Sequence, residues 1–310
     1  FFLKGLTYFP FGVRFCQFFP KGFFMLNFAY QEHVRSYYFD SRNQDFQFPP
    51  LTQIEHADVC VIGAGFFGLS AALELAEKGK KVIVLEGARV GFGASGRSGG
   101  QAINGFEEGI DEYVKQVGED KAHKLWNMSL ETIDIIDERI EKYSIQCDWK
   151  KGYATLALNE RRMDDLIEME KESHKNFGYQ NMQLWDKTKL KQHLGSDIYV
   201  GGLFDSNSGH LHPLNYCLGL AKACVDLGVQ IFEQSPVVDM VEKNGCVEVK
   251  TAKSAVISQD VILATNAYID ALPKSIHHGI NRKILPVESF IIATEPLSQA
   301  VADSVINHDL

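Results

Sequence analysis

A strand, a glycine-rich turn and a helix follow one another in the first third of the chain, and this order restricts the fold more than any other feature. The apolar residues 57–62 predict a short strand, and the apolar positions of 66–79 predict a helix with one buried face that ends at Gly79. The sequence KKVIVLE, residues 80–86, predicts a second strand with a fully apolar centre. The turn between the first strand and the helix is the G-x-G-x-x-G motif of Gly63, Gly65 and Gly68. Residues 57–86 therefore predict one βαβ unit of a parallel sheet.

The glycine motif predicts a dinucleotide site, because each glycine meets a different requirement. The first permits the tight turn, the second lets a pyrophosphate approach the backbone, and the third lets helix and strand pack closely. The phosphates would lie at the helix N-terminus, where backbone N–H groups favour an anion. Glu86 ends the second strand, 18 residues beyond Gly68. Its carboxylate can accept hydrogen bonds from both ribose hydroxyls and would repel a 2′-phosphate.

The residues after Glu86 favour FAD over NAD as the dinucleotide. Residues 87–101, GARVGFGASGRSGGQ, contain six glycines together with Ala94, Ser95 and Ser98. Residues this small would let backbone amides approach both the pyrophosphate and the flavin ring. A flexible surface loop is the alternative interpretation, but a surface loop seldom has so few charged residues directly after a nucleotide-binding strand.

Composition limits the classes of function. With 310 residues, 45% hydrophobic and 23% charged, the chain has the composition of a soluble globular protein. A net charge of −9 argues against a nucleic-acid partner, because no basic surface would offset the repulsion of the phosphates. The six cysteines include no C-x-x-C pair, so we expect reduced thiols and a cytoplasmic protein.

The first 30 residues differ from the rest of the chain. They contain ten of the 21 phenylalanines and no acidic residue. Basic residues and two prolines interrupt their apolar runs, so we expect neither a membrane span nor a signal peptide. We expect residues 1–30 to be a non-native or disordered extension and residues 31–56 to form an extended N-terminal arm.

The order of the predicted elements is that of an α/β protein with two domains. A Rossmann-like, FAD-binding parallel sheet would use residues 57–105 and 200–270, which are separated in the sequence. An α+β substrate domain would use residues 106–199 and 271–310 and would be incomplete at its C-terminus. Three further predictions concern single elements, namely a helical region over 108–145, an Asn-Gly turn at 244–245 and a last apolar strand over 284–297.

Several segments together resemble a known family. They are VRSYYFDSRN, ADVCVIGAGFFGLSAALELAEKGKKVIVLEG, GFGASGRSGGQ, GGLFDSNSGHLHPLNYCLGLAKACVDLGVQIFEQSPV, VILATNAY and LPVESFIIATEPL. From about residue 30 to residue 310, the chain is similar to the FAD-dependent amine and amino-acid oxidases of the D-amino-acid oxidase and glycine/sarcosine oxidase superfamily. The glycine motif marks only the large flavoprotein class, whereas ASGRSGGQ and the tyrosine-bearing arm indicate the narrower group.

The resemblance implies a set of FAD contacts and a non-covalent cofactor. The implied cofactor-binding residues are Gly63, Ala64, Gly65, Gly68, Glu86, Gly87, Ala94, Ser95, Arg97, Ser98, Gly99, Gln101, Val237 and Thr265. Residues 94–101 match the segment that lines the flavin, the backbone at Val237 would meet the adenine, and Thr265 would lie on the strand that returns to the nucleotide. Arg97 would stabilise the reduced anionic ring or bind a substrate carboxylate, or it would instead contact a phosphate or the backbone.

The resemblance also implies oxidative deamination of a small-molecule amine, with gamma-glutamylputrescine as the implied substrate. The α-carbon would give a hydride to flavin N5, and the imine would hydrolyse to an aldehyde and ammonia. Oxygen or another electron acceptor would reoxidise the flavin, with peroxide as the product when oxygen is used. The flavin supplies the difficult step, and no conventional acid–base constellation stands out in the sequence. Family members continue past the last residues of this sequence, so we expect a C-terminally truncated chain.

Three alternatives stay open at this point. The substrate could be a different amine or amino acid, such as glycine, sarcosine or proline. The enzyme could be a dehydrogenase that passes electrons to a quinone or an electron-transfer protein. The chain could also be a truncated fragment that binds FAD weakly and catalyses nothing.

A few remaining residues have a possible functional interpretation and a plainer one that we prefer. On a strand, His210 and His212 would share one face as metal ligands can, but a turn before a helix is the better interpretation, and no metal is predicted. His277 and His278 are expected in an exposed loop, and Cys217 with Cys224 in a helical core. The acidic residues Glu107, Glu108 and Asp111 suit a helix start as well as a polyamine site.

Overall fold

The structure is a computed structural model that describes residues 32–106, 109–277, 279–287 and 289–307. Within these residues the chain divides into two compact units. Unit 1 comprises residues 32–98, 145–147 and 212–293, and unit 2 comprises residues 99–144, 148–211 and 294–307. The extension predicted at residues 1–30 lies outside the described residues.

Strands and helices alternate along most of the described chain. The strands are β1 (Glu55–Ile62), β2 (Val82–Leu85), β3 (Gln101–Ala102), β4 (Lys150–Ala157), β5 (Met182–Asp186), β6 (Gly201–His210), β7 (Gln230–Phe232), β8 (Val237–Lys243), β9 (Cys246–Thr251) and β10 (Ala255–Leu263). The helices are α1 (Tyr37–Asp40), α2 (Phe66–Glu77), α3 (Ile110–Val117), α4 (Glu119–Lys142), α5 (Glu160–Phe177), α6 (Lys187–Leu190), α7 (Pro213–Asp226), α8 (Lys274–His277) and α9 (Gln299–Val305).

Unit 1 contains a six-stranded sheet in the order β7-β2-β1-β10-β9-β8. The first four strands of this order are parallel, and β9 and β8 continue the sheet in antiparallel fashion. Asn244 and Gly245 join β8 to β9 with φ values of 55° and 76°, which are the left-handed conformations that a two-residue hairpin turn needs. The predicted Asn-Gly turn is therefore confirmed, and the parallel-dominated sheet confirms the predicted α/β fold class.

The predicted βαβ unit forms in unit 1 as β1, α2 and β2. The last four residues of β1 and all four residues of β2 are buried, as expected for strands covered on both faces. Helix α2 buries Gly68, Leu69, Ala72 and Leu73 on one face. Gly79 follows the helix with a φ of 78°, so the predicted stop at this glycine is confirmed within two residues.

Buried aliphatic side chains from both halves of the sheet form one core in unit 1. Its buried members are Leu51, Cys60, Ile62, Ile83, Leu85, Val237, Val249, Val256, Ile269, Leu272 and Ile276. Leu51 belongs to the N-terminal arm, and its backbone N–H donates to the buried Ser235 side chain at 2.8 Å. The arm was predicted to be extended, but its described part contains the single turn α1 and reaches this core.

Unit 2 contains a smaller antiparallel sheet with β6 at its centre. Strands β4, β5 and β3 each pair with β6 in antiparallel fashion. β5 pairs through Met182–Asp186, and β3 pairs through Gln101–Ala102. The predicted helical region 108–145 is two helices, because Gly118 has a φ of 83° and separates α3 from α4. The core of this unit contains Trp126, Ala157, Leu166, Tyr179, Met182 and Leu203.

The predicted strand at 284–297 is wrong. The described residues of this segment form no strand, and their backbone lacks the neighbouring strand that a β ladder requires. Ile284 packs, partly buried, against the core of unit 1, but Leu285, Val287 and Phe290 are 84%, 79% and 80% exposed. Most of the apolar pattern that suggested a buried strand is therefore exposed. An apolar run is not enough to predict a strand, because a strand also needs a neighbouring strand with which to form hydrogen bonds.

Candidate functional site

Three chain segments meet at the carboxyl ends of the parallel strands in unit 1. The register pairs Ile62 of β1 with Leu85 of β2 and with Leu263 of β10. The Gly63 N–H donates to the Leu85 carbonyl at 2.8 Å, and the Ala264 N–H donates to the Ile62 carbonyl at 2.8 Å. The sheet therefore brings the glycine turn, Glu86 and the residues after β10 to one edge.

The three glycines of the motif leave no room for larger residues. Gly63 has a φ of 111°, and a Cβ at this position would lie 2.6 Å from the Ala264 carbonyl oxygen. A Cβ at Gly65 would lie 2.8 Å from the Ser95 hydroxyl oxygen. A Cβ at Gly68 would collide with the Gly63 carbonyl oxygen and lie 3.1 Å from the Ala264 Cβ. Gly63 and Gly68 face backbone atoms, so these two positions require glycine, whereas a Cβ at Gly65 would require the Ser95 side chain to move. We call this turn the glycine cradle.

The start of α2 faces the loop that follows β2. Gly65 occupies the N-cap position and has no side chain to cap the helix. Ser95 supplies one acceptor, because the Phe66 N–H donates to its Oγ at 3.0 Å. A helix N-terminus without a cap of its own, next to a hydroxyl group, suits an anion such as a pyrophosphate. The donors at this position therefore fit the phosphates of a dinucleotide.

Glu86 points its carboxylate at the glycine turn. Oε2 accepts a hydrogen bond from the Ala64 N–H at 2.8 Å, and Oε1 accepts one from the Ala88 N–H at 2.9 Å. Burial raises the pKa of Glu86 above its ordinary value, and the two N–H donors partly oppose this rise. Each carboxylate oxygen has a second lone pair, so both can also accept from a hydroxyl group.

The loop from Gly87 to Ser98 folds over itself after β2. Its predicted flavin-lining residues include one 3₁₀ turn, Ala94–Gly96. The N–H groups of Arg97 and Ser98 both donate to the Ala94 carbonyl, at 3.1 and 2.9 Å. The Arg97 guanidinium lies 4.5 Å from the centre of the Phe92 ring, in the range of a cation–π contact. Ala94 and Ser98 are exposed, and Arg97 is half-buried.

The remaining predicted cofactor residues lie outside the glycine turn and the loop that follows β2. Gly99 and Gln101 belong to unit 2, where Gln101 begins β3 and pairs with His210. Val237 begins β8 and is buried in the same core as Ile62 and Leu85. Thr265 lies two residues after β10 rather than on it, and its carbonyl accepts a hydrogen bond from the Tyr268 N–H at 3.0 Å. The assignment of these residues to FAD stays a prediction.

A buried carboxylate beside the loop was not among the residues that the sequence indicated. Glu233 is 1% exposed and accepts hydrogen bonds from the Val90 N–H at 2.7 Å, the Phe48 N–H at 3.1 Å and the Arg89 guanidinium at 2.7 Å. It therefore ties the arm and the loop to the end of β7. Its donors lie 143 to 185 residues away in the sequence, so no local pattern indicates this role.

Unit 2 contains a second buried polar cluster, centred on Asp205. Its carboxylate accepts hydrogen bonds from Tyr179 at 2.7 Å, Asn104 at 2.6 Å, Ser208 at 2.9 Å and the Asn207 N–H at 2.9 Å. Asp205 is 5% exposed and Ser208 is fully buried. Burial, together with the adjacent carboxylate, raises the pKa of Tyr179, so this hydroxyl remains a donor at neutral pH.

The histidines and cysteines mostly take the plainer roles that we preferred. His210 ends β6, and His212 caps α7 by accepting the Asn215 N–H on Nδ1 at 3.1 Å, so the two rings do not share a strand face. Cys217 and Cys224 are buried in α7. His277 is buried and ends α8, so the expectation of an exposed loop is wrong for this residue. His278, Glu107, Glu108 and the Asp111 side chain lie outside what the structure describes.

Metal clusters and membrane-spanning helices are both absent from the described residues. In the part of the chain that the structure describes, no group of three or more His, Cys, Asp or Glu side chains could hold a metal ion. Across the same residues, no helix combines the length and the apolar composition that a bilayer crossing demands.

Comparison with known proteins identifies the family. The DAO family model, described as FAD dependent oxidoreductase, matches residues 58–309. This match covers most of the chain, so the chain belongs to the DAO family of FAD-dependent oxidoreductases. FAD is the cofactor of this family, and the glycine cradle, the start of α2 and Glu86 fit its dinucleotide part.

Two relatives are similar over most of this chain. The "Probable oxidoreductase OrdL" of Haemophilus influenzae is 98% identical over 286 residues, which are 92% of this chain and 66% of that protein. The "Gamma-glutamylputrescine oxidoreductase" of Escherichia coli is 40% identical over 275 residues, which are 89% of this chain and 63% of that protein. The chain thus spans slightly less than two thirds of the length of these relatives.

Solved structures share the fold at low sequence identity. The glycine oxidase of Geobacillus kaustophilus has a TM-score of 0.58 at 19% identity, over 73% of this chain and 58% of that protein. The L-amino acid deaminase of Proteus myxofaciens has a TM-score of 0.62 at 22% identity, over 74% of this chain and 50% of that protein. These likenesses confirm the predicted fold class.

Proposed function

We propose that the protein to which this chain belongs oxidises the CH–NH₂ group of an amine with FAD, and that gamma-glutamylputrescine is the substrate. The products are the aldehyde, ammonia and hydrogen peroxide. The observation that carries the substrate proposal is the 40% identity with the E. coli gamma-glutamylputrescine oxidoreductase over 89% of this chain. The glycine cradle next to the carboxylate of Glu86 supports the cofactor part of the proposal.

In this proposal, different residues of unit 1 bind different parts of the dinucleotide. The N–H groups at the start of α2 and the hydroxyl of Ser95 hold the pyrophosphate. Glu86 accepts hydrogen bonds from the ribose hydroxyls with the lone pairs that Ala64 and Ala88 leave available. The backbone of Gly87, the remaining loop residues, Val237 and Thr265 complete the predicted set.

The two units then have different tasks. Unit 1, with its parallel sheet, is the FAD-binding domain, and unit 2, with its antiparallel sheet, is the substrate domain. This division places the boundary after Ser98 and again at residues 211–212. It differs from the predicted boundaries of 105 and 200 because β3 and β6 pair within unit 2. It also differs from the predicted boundary of 270, because Leu272 and Ile276 pack in the core of unit 1, which extends to residue 293.

Bound FAD would supply a hydride acceptor for the carbon that carries the amine, and hydrolysis of the resulting imine would give the aldehyde and ammonia. The protein binds the neutral amine, orients its α-carbon and keeps the cofactor in place. Arg97, at the end of the loop, would supply a positive charge beside the flavin ring. The two electrons and two protons removed from the amine would reduce oxygen to hydrogen peroxide.

The location proposed for this enzyme is the cytoplasm. Cys60, Cys147, Cys217, Cys224 and Cys246 form no disulfide among the described residues, and four of them are buried. Thiols of this kind are usual in reducing compartments.

Anaerobic reduction of the bound flavin tests the proposal. The purified chain is loaded with FAD, and its visible spectrum is recorded before and after gamma-glutamylputrescine is added. We expect the flavin absorption to bleach with this amine and to remain with putrescine, which lacks the glutamyl group. Glycine, sarcosine and proline belong in the same panel, because a glycine oxidase of Bacillus licheniformis is 28% identical over 239 residues.

Each outcome of this experiment identifies one alternative. Bleaching by glycine or sarcosine alone would replace the substrate with an amino acid. Bleaching without peroxide under air would indicate a dehydrogenase that uses a quinone or a protein acceptor. A chain that binds FAD but is reduced by none of these compounds would contradict the proposed substrate and direct the search to other amines. A chain that binds no FAD would contradict the proposed cofactor contacts of unit 1.

A further inference from the structure

Residues 32–43, ahead of β1, contact the loop that the proposed FAD site uses. The Glu32 carboxylate receives two hydrogen bonds from the Arg89 guanidinium, at 2.9 and 2.6 Å. Arg89 also donates to the buried Glu233. The Arg89 side chain is 14% exposed, so its charge lies between two carboxylates and is largely shielded from water. The start of the arm is therefore tied to the start of the loop.

An aromatic cluster continues this contact along the loop. The His33 ring lies 6.4 Å from the Phe92 ring and 5.8 Å from the Phe39 ring, measured between ring centres. The Arg97 guanidinium lies 4.5 Å from the centre of the same Phe92 ring. Phe92 thus contacts the arm through His33 and the predicted flavin residue through Arg97.

The far end of this segment is fixed to helix α7. The Asn43 N–H donates to the Asn215 side chain at 3.0 Å, and Ser41 Oγ lies 3.0 Å from His212 Nε2. Since His212 Nδ1 accepts the Asn215 N–H, the ring proton of neutral His212 is on Nε2 and is donated to Ser41. The Ser41 hydroxyl in turn donates to the Tyr37 carbonyl at 2.6 Å. The segment is therefore held at both ends and bridges α7 and the loop.

We propose that residues 32–43 are a positioning element of the FAD site, which holds Phe92 and Arg97 in place and so strengthens the binding of FAD. This inference rests on the proposed function, because it needs FAD to occupy the loop. His33 is the central positioning residue, since its ring lies against Phe92, which in turn contacts Arg97. The coupling must be reciprocal. If the contact of residues 32–43 with the loop strengthens FAD binding by a given factor, bound FAD must strengthen that contact by the same factor.

Three variants of the 310-residue chain test this coupling. His33→Ala removes the ring contact, and His33→Phe keeps an aromatic ring at the same position. Asp165→Asn is the matched control, because Asp165 forms an i,i+3 surface pair with Arg162 in unit 2, at 3.5 Å, and is 58% exposed. The measurements are the Kd of FAD from flavin fluorescence and the amide hydrogen exchange of residues 34–43 with and without FAD.

The expected results differ between the variants. His33→Ala should raise the Kd of FAD by roughly five- to 150-fold, the usual range for coupled sites. It should also shift the bound flavin spectrum, whereas His33→Phe should restore most of the affinity and Asp165→Asn should change neither quantity. In the unaltered chain, FAD should slow the exchange of residues 34–43 by a similar factor.

Two results would overturn the inference, and they are distinguishable. Equal FAD affinity for the unaltered chain and His33→Ala, with exchange in residues 34–43 unaffected by FAD, would contradict the coupling and leave the proposed function intact. No FAD binding by the unaltered chain would contradict the proposed cofactor site and the coupling together. Because the exchange measurement uses the unaltered chain, misfolding of a variant cannot hide the answer.

Discussion

The glycine turn of unit 1 and the Asp205 cluster of unit 2 are both places where polar groups are held away from water, but they are built in opposite ways. The turn uses backbone groups and the absence of side chains at Gly63, Gly65 and Gly68. The cluster uses four side chains, Asp205 with Tyr179, Asn104 and Ser208, and most of its hydrogen bonds join residues far apart in the chain.

This difference sets what each region can do. Backbone N–H groups at a helix start keep their direction without a partner and can therefore receive an anion. The Asp205 carboxylate already has four donors within the protein, so it has little capacity left for a ligand. The first region suits binding, and the second suits the stability of the sheet around β6.

The largest effect should follow a substitution that fills the glycine cradle. Gly68→Val would place side-chain atoms against the Gly63 carbonyl and Ala264, so β1 and α2 must separate. We expect FAD binding to be lost and the free energy of unfolding to fall by about 3 kcal/mol, because packed interiors do not absorb added atoms easily. Flavin fluorescence and urea denaturation followed by circular dichroism measure the two effects.

Gly79→Ala is the matched control for this substitution. Gly79 also has a positive φ, of 78°, but a Cβ there would meet no atom within 4 Å. We expect a loss of about 1 kcal/mol from backbone strain and an unchanged Kd for FAD. Equal effects of the two substitutions on FAD binding would mean that the cradle is not part of the site.

The next effect concerns the Asp205 cluster. Asp205→Asn keeps the shape but replaces one acceptor oxygen by a donor that faces Asn104 and Ser208, which also donate there. We expect a loss of about 2 kcal/mol in the free energy of unfolding, since a buried donor is left unsatisfied. Trp126, Trp149 and Trp185 all lie in unit 2, so tryptophan fluorescence reports this transition.

A surface carboxylate in the same unit provides the comparison. Asp197 is 75% exposed and pairs with Lys191 at 2.6 Å, and Asp197→Asn should leave the unfolding midpoint unchanged. FAD affinity should stay the same in Asp205→Asn if this cluster serves stability alone. A large loss of FAD affinity in Asp205→Asn would contradict the view that this cluster serves stability and not cofactor binding.

A smaller effect is expected at Glu86. Glu86→Gln keeps one carbonyl acceptor but removes the charge, so the ribose hydroxyls lose a charge-assisted hydrogen bond. We expect the Kd of FAD to rise about tenfold, which corresponds to one such bond. Glu74→Gln, on the exposed surface of α2, should not change the Kd of FAD. Glu86→Gln should also lower the free energy of unfolding, because its amide NH₂ would face the N–H donor of Ala64 or Ala88. An unchanged Kd in Glu86→Gln would remove this residue from the proposed ribose contact.

The same contrast explains how much the sequence could predict. The βαβ unit and its glycine turn depend on residues that lie close together in the chain, so periodicity and glycine spacing indicated them correctly. The hydrogen bond from Phe66 to Ser95 and those of Glu233 depend on packing between distant segments, which no local pattern reveals. The strand expected at 284–297 failed for a related reason, since its apolar residues carry no information about a partner strand.

The smallest effect expected is a pH dependence that begins in the arm. Burial, followed by the charge of Arg97, lowers the pKa of His33 from 6.5 to about 4. Docking here means the contact of residues 32–43 with the loop that contains Phe92. Between pH 6.5 and about pH 4, the His33 ring binds a proton when the arm is undocked and stays neutral when the arm is docked. The contribution of His33 to docking should be at full strength above pH 6.5, weaken as the pH falls from 6.5 to about 4, and change no further below that range. Glu32 adds a second loss of docking at more acidic pH, because the hydrogen bond from Arg89 lowers the pKa of its carboxyl group and weakens when that group is protonated.

If docking strengthens FAD binding, the Kd of FAD should rise as the pH falls from about 7.5 to about 5. The rise should be smaller in His33→Phe, because its side chain cannot bind a proton. Glu86 is present in both proteins, so its own titration cancels in the ratio of the two Kd values. Burial of His33 is incomplete, which limits the change, and we expect a ratio of a few-fold rather than the full proton linkage. A ratio that stays constant with pH would mean that His33 does not sense docking. The arm would then hold the loop through the Glu32–Arg89 pair and through Glu233, which accepts from both Phe48 and Val90.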